Sequence, residues 1–125
     1  MSVVLVVDDE PLQREIVKTI LDDEGYETYT ASSGEEGLKI MKKFSPDVVL
    51  TDLKMEGMDG IEFIELIPKE TYEPTMVIIT AHGTISSAVE AIKKGAFDYL
   101  TKPLDRDTLL LTVKRAVERT SLLKE

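Results

Sequence analysis

The sequence predicts a doubly wound α/β fold: five parallel strands in the order 2-1-3-4-5, with helices on both faces. Three observations predict it. Short continuous segments, mostly rich in Val, Ile and Leu, recur at 3–7, 27–30, 47–51, 75–79 and 97–100. That is the pattern of strands buried on both faces. Helical segments alternate with them, as a parallel sheet with right-handed crossovers requires. Four strands then run into polar residues: Asp8 and Asp9 after the first, Asp52 after the third, Thr80 after the fourth, Lys102 after the fifth. In an open parallel sheet, ligands sit beyond the carboxyl ends of the strands, where the strand order reverses. The order 2-1-3-4-5 places the first and third strands side by side there, so the acids become neighbours.

The helices follow from local signals. The first spans about Pro11 to Asp23, with proline in the first turn, where its missing N–H is not needed. Leu12, Ile16 and Ile20, with Val17 and Leu21 alongside, form its apolar stripe. Gly25 suits the position just past its end. The second helix opens at Ser33 with Glu36 as a capping box; Leu38, Met41 and Phe44 face inward and Pro46 follows. The third opens at Asp59 with Glu62, presents Phe63, Ile64, Leu66 and Ile67, and stops at Pro68. The fourth begins near Thr84, with Ile85, Ala88, Val89 and Ile92 at helical spacing and Gly95 at its close. The fifth runs from Asp105 to about Leu123.

The bulk numbers narrow the function. A chain of 125 residues is enough for one domain with a single core. It has no cysteine, hence no disulfide framework and no thiolate metal site. A net charge of −9 disfavours direct nucleic-acid binding, which depends on lysine and arginine. No apolar run approaches a membrane span, and the N-terminus lacks the basic flank of a signal peptide. A cytoplasmic protein that does not bind the membrane is the expectation.

Three carboxylates, one hydroxyl and one ammonium converging on a rim point to a divalent cation and a phosphoryl group. Crowded carboxylates repel until one is protonated or a cation binds. All-oxygen ligation suits Mg²⁺ or Mn²⁺. The bland alternative for Asp8, Asp9 and Glu10 is complementing the dipole of the helix that follows. Asp52 is the nucleophile candidate, since a carboxylate attacks phosphorus to give an acyl phosphate. Thr80 is placed to hydrogen-bond a phosphoryl oxygen and Lys102 to pair with another. The first βα turn has no G-x-G-x-x-G, which disfavours a dinucleotide.

These motifs resemble the receiver domain of two-component response regulators, over the whole chain 1–125. The matching residues are Val6-Val7-Asp8-Asp9-Glu10, Asp47 to Asp52 leading to Met58-Asp59-Gly60, Thr80-Ala81 and Lys102-Pro103. The resemblance implies a flavodoxin-like receiver fold with Asp52 as phosphoacceptor. It implies Mg²⁺ held by Asp9, Asp52 and the backbone carbonyl of Lys54, with Asp8 acting mostly through water. Thr80 and Lys102 would sense the phosphoryl group, Thr80 and Tyr99 would form the switch, and the Lys102–Pro103 bond would be cis. The segments Thr80 to Thr84 and Gly95 to Pro103 are similar to receivers of NtrC-type sigma-54-dependent transcription activators.

That similarity implies several partners. A sensor histidine kinase would donate the phosphoryl group. An output domain, an AAA+ ATPase followed by a DNA-binding module, would follow a linker after the helix at about 105–123. A second copy would dimerise through the last helix, or through the fourth helix, fifth strand and fifth helix. Glu56 departs from the family pattern, standing where many receivers have proline. Lys54 and His82 flank the site and are candidates for controlling phosphoryl lifetime. The chain is expected to catalyse its own phosphorylation and dephosphorylation, not to turn over small substrates. A Mg²⁺-dependent phosphatase would need a cap insertion that the sequence lacks, and an interaction module without phosphorylation would not need intact Asp52 and Lys102.

Overall fold

The computed structural model describes residues 2–67, 73–81 and 85–124. The elements alternate strictly: β1 (Val3–Val7), α1 (Pro11–Asp23), β2 (Glu27–Ala31), α2 (Gly34–Phe44), β3 (Val48–Asp52), α3 (Gly60–Leu66), β4 (Thr75–Thr80), α4 (Ile85–Lys93), β5 (Asp98–Thr101) and α5 (Arg106–Leu123). All pairings are parallel, in the order β2-β1-β3-β4-β5. The expected fold class and strand order are therefore present. Four strands differ from expectation by one residue at one or both ends: β2 and β4 run one residue further, and β3 and β5 are shifted one residue along. β3 starts at Val48 and ends on Asp52, so the candidate nucleophile is the last strand residue.

Because side chains alternate across a strand, the sheet builds two cores. Val4, Val6, Val48, Leu50, Val77 and Ile79 pack with Val17 and Leu21 of α1 and with Leu109, Val113 and Ala116 of α5. Leu5, Val7, Val49, Met76 and Ile78 face the other way, toward Met41, Phe63, Ile64 and Ala91 of α2, α3 and α4. The polar residues at the carboxyl ends thus project from a frame that is dry on both faces.

Several local expectations need correction. Leu12 and Ile16 are exposed, whereas Val17 and Leu21 are fully buried. One residue advances a helix by roughly 100°, so Ile16 points well away from the seam that Val17 and Leu21 occupy. Leu66 is exposed while Phe63, Ile64 and Ile67 are buried. On α4 the buried contacts are Ala88 and Ala91; Val89 and Ile92 stand exposed. The capping box of α2 is half formed. Ser33 Oγ accepts from the Glu36 N–H, but the Glu36 carboxylate accepts from the N–H of Ser32 rather than of Ser33. The box of α3 is complete, with Asp59 and Glu62 each accepting the other's N–H. Gly25 and Gly95 follow α1 and α4 with φ of 98° and 122°, values that glycine adopts at little cost. Pro68, Thr84 and His82 lie outside the described residues.

At the amino-terminal rim, α5 is stitched to the sheet. The Thr120 hydroxyl donates to the Asp47 carbonyl at 2.6 Å and accepts from the Thr75 hydroxyl at 2.7 Å. Lys124 Nζ donates to Asp47 Oδ1 at 2.8 Å, and the Val3 N–H donates to Asp47 Oδ2 at 2.9 Å. Thr120 and Thr75 are buried, so losing one hydroxyl leaves its partners short of a bond. Thr120→Val keeps the shape and should cost about 2 kcal/mol. Urea unfolding should show a lower midpoint with an unchanged slope.

Candidate functional site

Chain order brings the four strand ends to one rim. Val7 pairs with Thr51, Asp52 with Ile79 and Thr80 with Thr101, so the polar ends line up along one rim in the order β1, β3, β4, β5. Asp8, Asp9 and Asp52 each offer a carboxylate oxygen within 4.8 Å of the other two. Asp8 is buried, with Oδ1 accepting from the Glu10 N–H at 2.9 Å. Its Oδ2 is buried with no hydrogen-bond partner among the described residues. A buried lone acceptor in an acidic cluster is where a cation or a proton is called for. Asp9 is exposed, and its Oδ2 accepts from the Glu56 N–H at 2.9 Å.

Asp52 is buried, and its Oδ2 accepts from Lys102 Nζ at 3.1 Å. Thr80 is buried at the end of β4, with its hydroxyl 3.5 Å from the Ala81 carbonyl. Its own carbonyl accepts from the Lys102 N–H at 2.9 Å, which fixes the backbone of the lysine against β4. The Lys102–Pro103 peptide is cis. Lys54 is exposed, two residues past Asp52 in the β3–α3 loop. Tyr99 is half-buried on β5, packed against the α2, α3 and α4 side of the core. The five rim residues Asp8, Asp9, Asp52, Thr80 and Lys102 are thus gathered, with Tyr99 set back along β5.

Electrostatics agree with that crowding. Burial pushes the Asp8 carboxyl above its ordinary 3.8; the Glu10 N–H works against this, and the nearby Asp52 charge adds to it. Asp52 is also raised, by burial first, which outweighs the opposing hydrogen bond from Lys102. Burial works to lower Lys102, but the hydrogen bond and charge of Asp52, with help from Asp8, leave it above 10.5.

Asp8 and Asp52 bind protons more readily folded than unfolded. Their stabilising contribution is full below about 3.8 and is lost as pH rises through the raised folded values. In EDTA, Asp8→Asn should therefore melt above the unaltered chain at about pH 7. That advantage should shrink toward about pH 4, as scanning calorimetry would show.

The donor set fits a hard divalent cation: three carboxylates, no sulfur and no described imidazole, with one buried oxygen unpartnered. Two features of the site were not visible as motifs. Arg14 of α1 donates from its guanidinium to the Asp8 carbonyl at 2.7 Å, and the backbone N–H of Glu56 meets Asp9. A third was visible only as part of a motif. A Cβ added to Gly60 would fall 2.6 Å from the Asp52 carbonyl oxygen and 3.1 Å from Leu53 Cα.

Comparison with known proteins agrees with this geometry. Residues 4–114 match the response regulator receiver domain. The regulatory protein AtoC of Escherichia coli K12 is 42% identical over 123 residues, which are 98% of this chain and 26% of AtoC. The crystal structure of NtrX from Brucella abortus superposes with a TM-score of 0.92 at 38% identity, covering 98% of this chain and 29% of NtrX. A receiver domain protein from Clostridium thermocellum superposes at 0.91 and 38% identity, over 98% of this chain and 99% of its own. The chain therefore spans about a quarter of the curated relatives it matches. Among the described residues, no helix is long and apolar enough to cross a membrane. On the matched span and on the acid cluster at the carboxyl rim alike, the chain belongs to the response regulator receiver domain family, in the likeness of receivers of NtrC-type sigma-54 activators.

Proposed function

We propose that this receiver is a phosphorylation switch in which Asp52 takes a phosphoryl group from a sensor histidine kinase. The observation that carries the reading is the meeting of Asp52 with Asp8, Asp9 and Lys102 at the sheet's carboxyl rim. A carboxylate oxygen of Asp52 attacks the phosphorus of a phosphohistidine. The O–P bond forms as the P–N bond breaks, and the electron pair returns to the imidazole. Asp52 is held for this by the end of β3, and Lys102 keeps one of its oxygens oriented. As the phosphoryl group arrives, the Lys102 ammonium is at hand to pair with its oxygens, as Thr80 is to donate a hydroxyl hydrogen bond. Asp8, Asp9, Asp52 and the Lys54 carbonyl would hold Mg²⁺. When bound, the ion supplies neutralisation of charge on the transferring oxygens.

Output follows from a shift between two arrangements. Thr80 moves toward the new oxygens, and Tyr99 turns into the space it leaves. The surface of α4, β5 and α5 changes with them. Moving that equilibrium from 1% to 99% needs about 5.5 kcal/mol of differential stabilisation. A phosphoryl group adds about two charges and three acceptors from which to draw it. In a longer protein, α5 would lead through a linker to an ATPase and a DNA-binding module, and a second copy would dock on α5 or on the α4, β5 and α5 face. NtrX from Brucella abortus, which is similar to this chain over 28% of its own length, is known in complex with ATP, in keeping with such an output domain. Incubation with acetyl phosphate, with and without Mg²⁺, tests the reading: a mass gain of one phosphoryl group that requires the ion supports it. Turnover of a small phosphomonoester, without retained phosphate, would favour a phosphatase instead.

A further inference from the structure

Asp9 is the exposed member of the three acids, and an exposed side chain is free to change rotamer. Yet its Oδ2 is held by the Glu56 N–H, 47 positions away. The donor belongs to the fold. Leu53 and Met55, which precede it, bury their side chains in the core beside Phe63 and Ile64. The Leu53 N–H donates to the Ile79 carbonyl at 2.9 Å, and the Leu53 carbonyl accepts from the Gly60 N–H at 2.8 Å. The loop is thereby tied on both sides of residue 56, and the acceptor is the partner that gets positioned. Each acid then has one oxygen on a protein donor: Asp8 on Glu10, Asp9 on Glu56 and Asp52 on Lys102.

On the metal-site reading above, we infer that the Glu56 backbone N–H is a positioning group. It preorganises Asp9 for the divalent cation, so Mg²⁺ affinity depends on the amide at 56 and not on the Glu56 side chain. The opposite effect, competition between the N–H and the ion, is small. An ionised carboxylate has about four lone-pair sites, and one N–H on Oδ2 leaves the rest. A proline at 56 has no N–H to give, so substitution separates the amide from the side chain.

Mg²⁺ titration by calorimetry on the 125-residue chain, on Glu56→Ala and on Glu56→Pro provides the test. Loss of one hydrogen bond of ordinary strength should weaken binding by the proline variant about fivefold. The alanine variant, which keeps the amide, should stay within about twofold of the unaltered chain. Equal affinity of the two variants, or tighter binding by the proline variant, overturns the inference. A melting scan in EDTA checks that the proline variant folds. If it does not, amide exchange in the metal-free chain decides: Asp9→Ala should speed exchange at Glu56 about fivefold, and an unchanged rate overturns the inference. An unaltered chain that binds no Mg²⁺ would sink the metal reading itself. A chain that binds while the variants match each other sinks only the role of this amide.

Discussion

Asp52→Asn should take up no phosphoryl group from acetyl phosphate in the presence of Mg²⁺, while the unaltered chain gains one per molecule. The amide oxygen carries no charge and is a poor nucleophile, and the group displaced here is the one that forms the bond. Removing a nucleophile typically costs far more than a thousandfold in rate, so intact-mass measurement should show no adduct on the time scale that saturates the unaltered chain. Asparagine keeps an oxygen able to accept from Lys102 at the position Asp52 Oδ2 now occupies. The fold should therefore survive, and a melting scan in EDTA checks it. It should melt no lower than the unaltered chain near neutral pH, because burial already disfavours the Asp52 charge. An adduct of equal yield on Asp52→Asn would move the acceptor role elsewhere on the rim.

Gly60→Ala should be the most damaging single-methyl change to the fold near the site. The added carbon would stand 2.6 Å from the Asp52 carbonyl oxygen and 3.1 Å from Leu53 Cα, both of them backbone atoms. Neither can rotate away, so α3 or the end of β3 must shift. Overpacking of this kind costs about 1–3 kcal/mol. At about 2 kcal/mol, a domain of this size loses roughly 8 °C in Tm. Phosphoryl uptake should slow as well, since the displaced backbone carries Asp52. Gly57→Ala is the control. There φ is 82° but the space is open, so the cost is conformational strain of about 1 kcal/mol with uptake kept. A Gly60→Ala variant as stable as the unaltered chain would contradict the close approach.

The sequence disclosed the sheet and most of the rim because both depend on strong, short-range signals. Apolar runs such as 3–7 and 75–79 leave little choice of element, and a polar residue ending each run marks its carboxyl end. Asp59 with Glu62 announced the start of α3 to the residue, since reciprocal capping is written in two positions three apart. Side-chain facing was less legible. Leu12, Ile16, Val89 and Ile92 fit a helical period but not the seam, because several phases of that period are open until the partner surface is known. The Glu36 carboxylate chose the amide of Ser32 over its neighbour's, a difference of one residue that spacing does not encode. Least legible were contacts made by the backbone. The amide that meets Asp9 belongs to every residue except proline, so nothing in the letter at 56 announces it.

The stitching at the amino-terminal rim has a mechanical consequence. β3 is a rod of five residues, roughly 17 Å long. It carries Asp52 at its tip, and Asp47, at its root, grips the tail of α5 through Thr120 and Lys124. The tail's bearing is therefore tied to the innermost strand, alongside the contact of Arg119 with the Phe97 ring ahead of the edge strand. Any cargo fused beyond that tail would be aimed from the same spar that bears the acid, and re-aiming it would mean prising open buried threonine contacts.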